Sequence, residues 1–182
     1  ADRLVEALTS TGSRARVVYA GSIQSDGLPS DLTPYGVGKL DAATRLRDWA
    51  AAHGGSFAEV RFPGLYGEHG RPDYNSFVAT FAHRIAAGES PQVTGDRTIP
   101  LLHVQDAVSA LLEAASGPAQ PLIRPALVTP LGISDVRDRL THFKTVYATG
   151  EIPDLTDRTD VRLFNTLRAA LWDRGERTIT LT

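Results

Sequence analysis

The stretch RVVYAGSIQSDGLPSDLTPYGVGK, residues 16–39, passes from β-branched and aromatic residues through a loop rich in Gly, Ser, Asp and Pro to a helix start. RVVYA, 16–20, reads as a buried strand. Thr33 has the side chain of an N-cap, and Pro34 suits the first helical position. The helix should close at Gly54 and Gly55, with Ala43, Leu46, Trp49, Ala50 and His53 on its apolar face and Asp41, Arg45 and Asp48 on the other. Upstream, DRLVEALTS, 2–10, reads as the end of a helix closed by Gly12; downstream, FAEVRF, 57–62, is a strand. The order helix, strand, helix, strand argues for a parallel sheet with crossover helices.

Farther along, a helix at about 76–87 places Phe77, Phe81 and Ile85 on one side and stops at Gly88. A short strand at Gln92–Thr94, another at Ile99–Val104 and a helix at Asp106–Ala115 are expected next. LIRPALVTP, 122–130, is Pro-rich, and helices follow at Ser134–Tyr147 and Thr159–Trp172. The tail RTITLT, 177–182, alternates like a strand.

With 182 residues, 42% of them hydrophobic, the chain can bury a real core. Its 19 basic and 21 acidic residues are dispersed, for a net charge of -2, so no basic face points to nucleic acid or an anionic membrane. The absence of cysteine excludes disulfides and thiolate metal sites, and no metal is expected. No signal peptide or long apolar run is visible, so the expectation is a soluble, cytoplasmic protein whose partner is a small molecule or another protein. The chain has no Met and begins on Ala1, so it is expected not to start at its natural beginning.

If Thr33 caps the helix, Tyr35 and Lys39 lie one turn apart on one face, their Cβ atoms about 5–6 Å apart. A phenol ordinarily titrates near pH ~10, and a nearby ammonium stabilises the phenolate, so the pair has the makings of an acid–base couple. Gly36 and Gly38 each cost about 0.5–1 kcal/mol in a helix interior, and would leave a bare surface where a ligand can approach the backbone. Five Tyr and two Lys meet at this offset by chance in roughly one chain in twenty, so the context matters. That context is Ser22, just past a strand C-terminus, where ligands of open parallel sheets bind.

These residues resemble the extended short-chain dehydrogenase/reductases, or NAD-dependent epimerase/dehydratases, nearly end to end. Ser22 in AGSIQ matches the family's serine after the fourth strand, and Tyr35 and Lys39 match its Tyr-x-x-x-Lys. VRFPGLYG, 60–67, is similar to its Arg-x-x-Asn-x-Tyr-Gly segment, and VTGDRTIPLLHVQDAVSALLEA, 93–114, to its later signature ending in His-Val-x-Asp. A closer resemblance is to reductases of UDP-linked dideoxy amino sugars in capsule and O-antigen synthesis. It rests on SIQ, on RPDYNSFVATFAHRIAAGE (71–89), on VTPLGISDVRDRLTHFK (128–144) and on IPDLTDRTDVRLFNTLRAALW (152–172).

The resemblance implies an α/β fold: a partial Rossmann-type parallel sheet in residues 1–70, and a small substrate-binding α/β subdomain mainly in 71–182, with some elements returning to the first part. It implies that Tyr35 gives or takes the substrate proton, that Lys39 lowers its pKa and holds the nicotinamide ribose, and that Ser22 hydrogen-bonds the reacting oxygen. Pro63, Gly64 and Leu65 would pass the nicotinamide of NADP or NAD, with NADP favoured for a reductase. Arg71, Tyr74 and Asn75 would line the sugar-nucleotide side; the alternatives are a solvated loop charge for Arg71 and a helix cap for Asn75. A homodimer through the Tyr-x-x-x-Lys helix, over its Ala-rich face 42–52, is implied as well.

Some residues depart from the family. Ala20 and Gly21 stand where serines are common, an effect on packing rather than chemistry. The usual Arg before His-Val-x-Asp falls on Ile99, and Arg97 could replace it; His103 and Asp106 read as structural, with Asp106 capping its helix. Only 21 residues precede Ser22, and they contain no G-x-G-x-x-G. The edge of the RVVYA strand is expected to lie open. The expectation is a piece, inactive by itself, of a nicotinamide-dependent reductase acting on a keto group of a UDP-linked deoxy amino sugar. An epimerase or dehydratase of the same family is the alternative, and a non-catalytic sugar-nucleotide or partner-binding protein is the alternative of another class.

Overall fold

The computed structural model describes residues 1–118 and 120–173. The chain divides into two compact units, Ala1–Pro63 with Asp106–Leu127, and Gly64–Gln105 with the chain from Val128 onward.

The first unit is built on the strand–helix–strand run of residues 16–62. Strand β1 (Arg16–Ser22) leads through two short 3-10 turns to helix α2 (Pro34–His53), and β2 (Ser56–Phe62) returns beside β1. The pairing is parallel, from Arg16 opposite Ser56 to Ser22 opposite Phe62. Helix α2 begins where local chemistry says it must: the Thr33 hydroxyl accepts the Gly36 N–H at 3.2 Å, and Pro34 takes the first turn. It ends on Gly54, in the left-handed region at φ 70°, whose N–H bonds the Ala50 carbonyl. Ala43, Leu46, Trp49 and Ala50 are buried on its sheet-facing side; His53 is exposed and stacks on Trp49 at 5.9 Å between centroids. Helix α1 (Asp2–Ser10) precedes β1, and β5 (Leu122–Ile123) adds a third parallel strand beyond β2. The order is β1-β2-β5, so β1 is an edge strand whose only ladder, among the described residues, is with β2.

The second unit carries its own core. Strand β3 (Gly64–Tyr66) pairs parallel with β4 (Thr98–His103), which pairs antiparallel with β6 (Thr129–Gly132). Helices α3 (Phe77–Ala86), α5 (Ile133–Ala148) and α6 (Arg158–Asp173) enclose Val78, Val136, Leu140, Leu163 and Leu167, all fully buried. Tyr147 meets Phe164 edge-on at 5.1 Å. Lys144 of α5 donates to the Ile85 and Ala86 carbonyls at 2.6 and 3.2 Å, closing the C-terminus of α3 with a cation where the helix dipole favours one.

The structure corrects several sequence expectations. Gln92–Thr94 is not a strand: Pro91 removes a donor, and Gly95, at φ 70°, turns the chain before a ladder can form. Helix α4 spans Val104–Ser116, so Asp106 falls in its first turn and not at the cap; His103, just before the helix, accepts the Gln105 N–H through Nδ1 at 3.4 Å. The Pro-rich run holds strand β5 and the start of β6, where no strand was expected. Pro130 sits on the edge strand β6, opposite Pro100, and Pro100 lies before β4 begins pairing with β3 at Leu101, so neither proline interrupts a central ladder. The tail RTITLT lies outside the described residues.

Asp157 opens α6: its carboxylate accepts the Thr159 and Asp160 N–H groups at 2.6 and 3.3 Å. These bonds, from Thr159 first, hold its carboxyl below the usual carboxylate range. A lowered folded-state value means stabilisation that is complete above the unfolded value of about 4 and lost as pH falls through the folded one. Asp157→Asn keeps a capping side chain without the titration, so its urea midpoint should fall less steeply than the parent's between pH ~5 and ~2; parallel curves would remove Asp157 from the acid response.

Candidate active site

Ser22, Tyr35 and Lys39 all belong to the first unit, and the two ends of the β1–α2 connection bring them to one corner. Ser22 is the last residue of β1 and 9% exposed. Its hydroxyl accepts the Gln24 N–H at 3.2 Å, and its carbonyl accepts the Ser25 hydroxyl at 2.6 Å, which curls residues 23–25 into a tight turn. That turn packs on the first turn of α2. Lys39 reaches back from α2 and donates to the Ala20 carbonyl at 3.0 Å. Its Nζ stands 5.3 Å from the Tyr19 ring centroid and 5.7 Å from that of Tyr35, an ammonium between two phenol rings. Tyr35 is 52% exposed and open to a ligand.

The two glycines of this turn do different things. A Cβ on Gly36 would collide with the Gln24 carbonyl oxygen, so Gly36 is buried under the Ser22 turn and serves close chain approach. The expectation of a bare ligand surface there is corrected. Gly38 has nothing within 4 Å of a built Cβ and does present open backbone.

Sequence reasoning missed a second group in this corner. Glu59 and Arg61 alternate on β2 and therefore share a face, with Glu59 opposite Tyr19 in the ladder. The Arg61 fork donates to Glu59 at 2.8 and 2.7 Å and to Asp26 at 2.6 Å; Arg124, just past β5, donates to Asp26 at 2.9 and 2.7 Å. Asp26 is held below the usual carboxylate range by Arg124 first, against burial, with help from Arg61. Burial, then the Glu59 carboxylate, then Tyr35 push the Tyr19 phenol up, so Tyr19 stays neutral beside Lys39. The E-V-R alternation in FAEVRF was the available signal.

The other expected residues lie where the chain leaves this corner and in the second unit. Pro63 is half-buried after β2; Gly64 and Leu65 form β3, with a Cβ on Gly64 lying 3.0 Å from Leu101. The Arg71 guanidinium lies 5.4 Å from the centroid of Tyr74, and both are exposed. Asn75 is exposed and does not cap α3; Ser76 does, accepting the Ala79 N–H at 3.4 Å. His69 and Asp73 in the same loop take φ of 59° and 52°, and Arg84 grips Asp73 at 2.9 Å. Arg97 is exposed in the turn before β4, its carbonyl accepting the Ile133 N–H at 3.1 Å. His103 is buried at 1% exposure, with Nε2 3.2 Å from the Glu68 carboxylate and its ring edge-on to Tyr66. No helix among the described residues is long and apolar enough to cross a membrane.

Residues 1–122 match the NAD dependent epimerase/dehydratase family. The chain belongs to that family. Over 115 residues, 63% of the chain and 30% of the relative, it is 30% identical to UDP-2-acetamido-2,6-beta-L-arabino-hexul-4-ose reductase of Pseudomonas aeruginosa. Among solved structures it is similar to capsular polysaccharide assembling protein CapF from Staphylococcus aureus, with a TM-score of 0.84 and 26% identity over 99% of this chain and 50% of that one. It is also similar to MoeE5 in complex with UDP-glucuronic acid and NAD, with a TM-score of 0.71 and 25% identity over 96% of this chain and 70% of that one. The chain thus spans about half of CapF, and its matched residues cover under a third of the Pseudomonas reductase. For this family member the Rossmann-type α/β architecture is as the sequence led one to expect, with the parallel β1-β2-β5 sheet and its helices.

The two glycines give a paired test. Gly36→Ala should lower stability by roughly 1–3 kcal/mol, because the methyl meets a backbone carbonyl that cannot swing aside. Gly38→Ala should raise it by about 0.5–1 kcal/mol, as for any open helical glycine. Urea denaturation of the two variants checks this, and equal effects would refute the division of roles.

Proposed function

We propose that this chain carries the catalytic residues of a nicotinamide-dependent oxidoreductase acting on sugar nucleotides, which reduces a keto group of a UDP-linked deoxy amino sugar in the cytoplasm for polysaccharide synthesis. The observation that carries the reading is the corner holding Tyr35, Lys39 and Ser22: a half-exposed phenol, an ammonium over its ring, and a serine at the end of the strand whose Ala20 carbonyl that ammonium bonds. The 30% identity to the Pseudomonas 4-ulose reductase supports the substrate class.

The corner suits a nicotinamide ribose. Lys39 gives one donor to the Ala20 carbonyl and has others left, and Gly38 offers backbone with open space beside it. The nicotinamide, when bound, supplies the hydride, and we take NADPH over NADH because the reaction is a net reduction. Tyr35 then donates its phenolic proton to the oxygen of the reacting carbon, and the Lys39 ammonium stabilises the phenolate left behind. Ser22 orients that oxygen through its hydroxyl. In this reading Pro63, Gly64 and Leu65 pass the nicotinamide. On the sugar-nucleotide side Arg71 grips a diphosphate with its fork, while Tyr74, Asn75 and Arg97 line the same ligand. Exposed Ala51 and Ala52 on α2 support a homodimer through that helix.

The reading is tested in the protein that carries this chain with its dinucleotide-binding part, using NADPH and the UDP-linked 4-ulose named for the Pseudomonas reductase. Tyr35→Phe should lower turnover on the order of 10²- to 10⁴-fold and spare NADPH binding. Retained turnover would remove Tyr35 from its role. Stoichiometric NADPH consumption marks a reductase; product formed with no net consumption would replace that reading with an epimerase or dehydratase.

A further inference from the structure

The Glu59–Arg61–Asp26–Arg124 network has no place in the chemistry above, yet it touches the turn that begins at Ser22. The bonds from Ser22 to Gln24 and Ser25 are internal to that turn, so they shape it without fixing it to anything. At its first end the turn is held by the ladder, Ser22 opposite Phe62. At its other end the Asp26 N–H bonds the Ile23 carbonyl at 3.1 Å, and the Asp26 carboxylate is gripped by Arg61 of β2 and by Arg124. Arg61 is itself locked by its fork on Glu59, which is 3% exposed, so the grip on Asp26 rests on a buried, rigid base.

Gly21 ties this network to the strand that delivers Ser22. A Cβ at residue 21 would collide with the Glu59 carboxylate, so the ion pair occupies the space that a side chain just before Ser22 would need. The residue stands where serines are common in the family, and here that space is spent on a charge pair. Two carboxylates and two guanidiniums leave the group neutral and satisfied without a ligand.

We infer that Asp26, bolted to β2 and β5 by Arg61 and Arg124, is a positioning residue that sets the place of Ser22 in the reaction. The inference rests on the catalytic reading of Ser22. Releasing Asp26 leaves the turn anchored at one end and against Gly36, free to shift the Ser22 hydroxyl by fractions of an ångström. Misplacement on the scale of 1 Å lowers rates by up to about 10²-fold.

The test compares Asp26→Asn, Arg124→Gln, Ser22→Ala and the Asp26→Asn/Ser22→Ala double variant, in the same complete protein and with the same 4-ulose and NADPH. Asp26→Asn should lower kcat by roughly 10- to 100-fold, with KM for the sugar nucleotide and NADPH affinity nearly unchanged. Arg124→Gln should do so to a lesser degree; its side chain is 53% exposed, so it provides the comparison if Asp26→Asn does not fold. In the Ser22→Ala background, Asp26→Asn should cost nothing further, because the residue it places is gone. A full additional loss in the double variant, or a fall in stability with kcat retained, would overturn the positioning role while leaving the catalytic reading standing. If Ser22→Ala itself keeps parental turnover, the role of Ser22 fails and the inference fails with it.

Discussion

The first unit is organised by one close approach, that of the first turn of α2 to the carbonyl of Gln24, which only a residue without a side chain permits. Helix α2 is fixed along the sheet by Ala43, Leu46 and Ala50, and its start is fixed by Thr33 and Pro34. Where it meets the loop after β1, no room remains for a side chain. The phenol of Tyr35 and the ammonium of Lys39 are set by the helix, Ser22 by the strand together with the turn that follows it, and Gly36 is the point at which the two frames touch. A bulkier residue there would separate the frames, not merely crowd a surface.

Lys39 belongs to both frames. Its amine bonds the Ala20 carbonyl at 3.0 Å, so the helix is tied to β1 two residues before Ser22, and the same charge lies over Tyr35 and Tyr19. The neutral Tyr19 completes the surroundings: it adds an aromatic face for the cation without competing for the proton, since burial and Glu59 both disfavour its ionised form. The cation is therefore held in place by a carbonyl and two rings before any ligand is present.

What could be read from the sequence was what local chemistry decides. Thr33, Pro34 and Gly54 mark the ends of α2 through bonds that close within a few residues, and the alternation in 57–62 marks β2, so the parallel pair and the crossover helix were legible. Strands β3, β5 and β6 are two to four residues long and owe their existence to partners far along the chain. Nothing local distinguishes TPLG, with its proline, from a loop; only the edge position of β6 makes it a strand. The site divides the same way. Tyr35 and Lys39 are a spacing on one helix, whereas the burial of Gly36 and the meeting of Asp26 with Arg61 and Arg124 are events between segments up to 98 residues apart, which no window along the sequence contains.

Gly21 and Glu59 show how such a long-range requirement becomes visible once the ladder is known. On a parallel pair the side chains of Tyr19, Gly21, Glu59 and Arg61 share one face, and a buried carboxylate on that face needs both a partner and room. Arg61 is the partner, and the missing side chain of Gly21 is the room. A serine at residue 21 would remove the room and strand the charge of Glu59, which costs more than the loss of an exposed ion pair because the carboxylate is desolvated. The absence of a side chain at residue 21 and the presence of the Glu59–Arg61 pair are therefore parts of one packing arrangement. The pair in turn determines which groups are available to hold Asp26 at the end of the Ser22 turn.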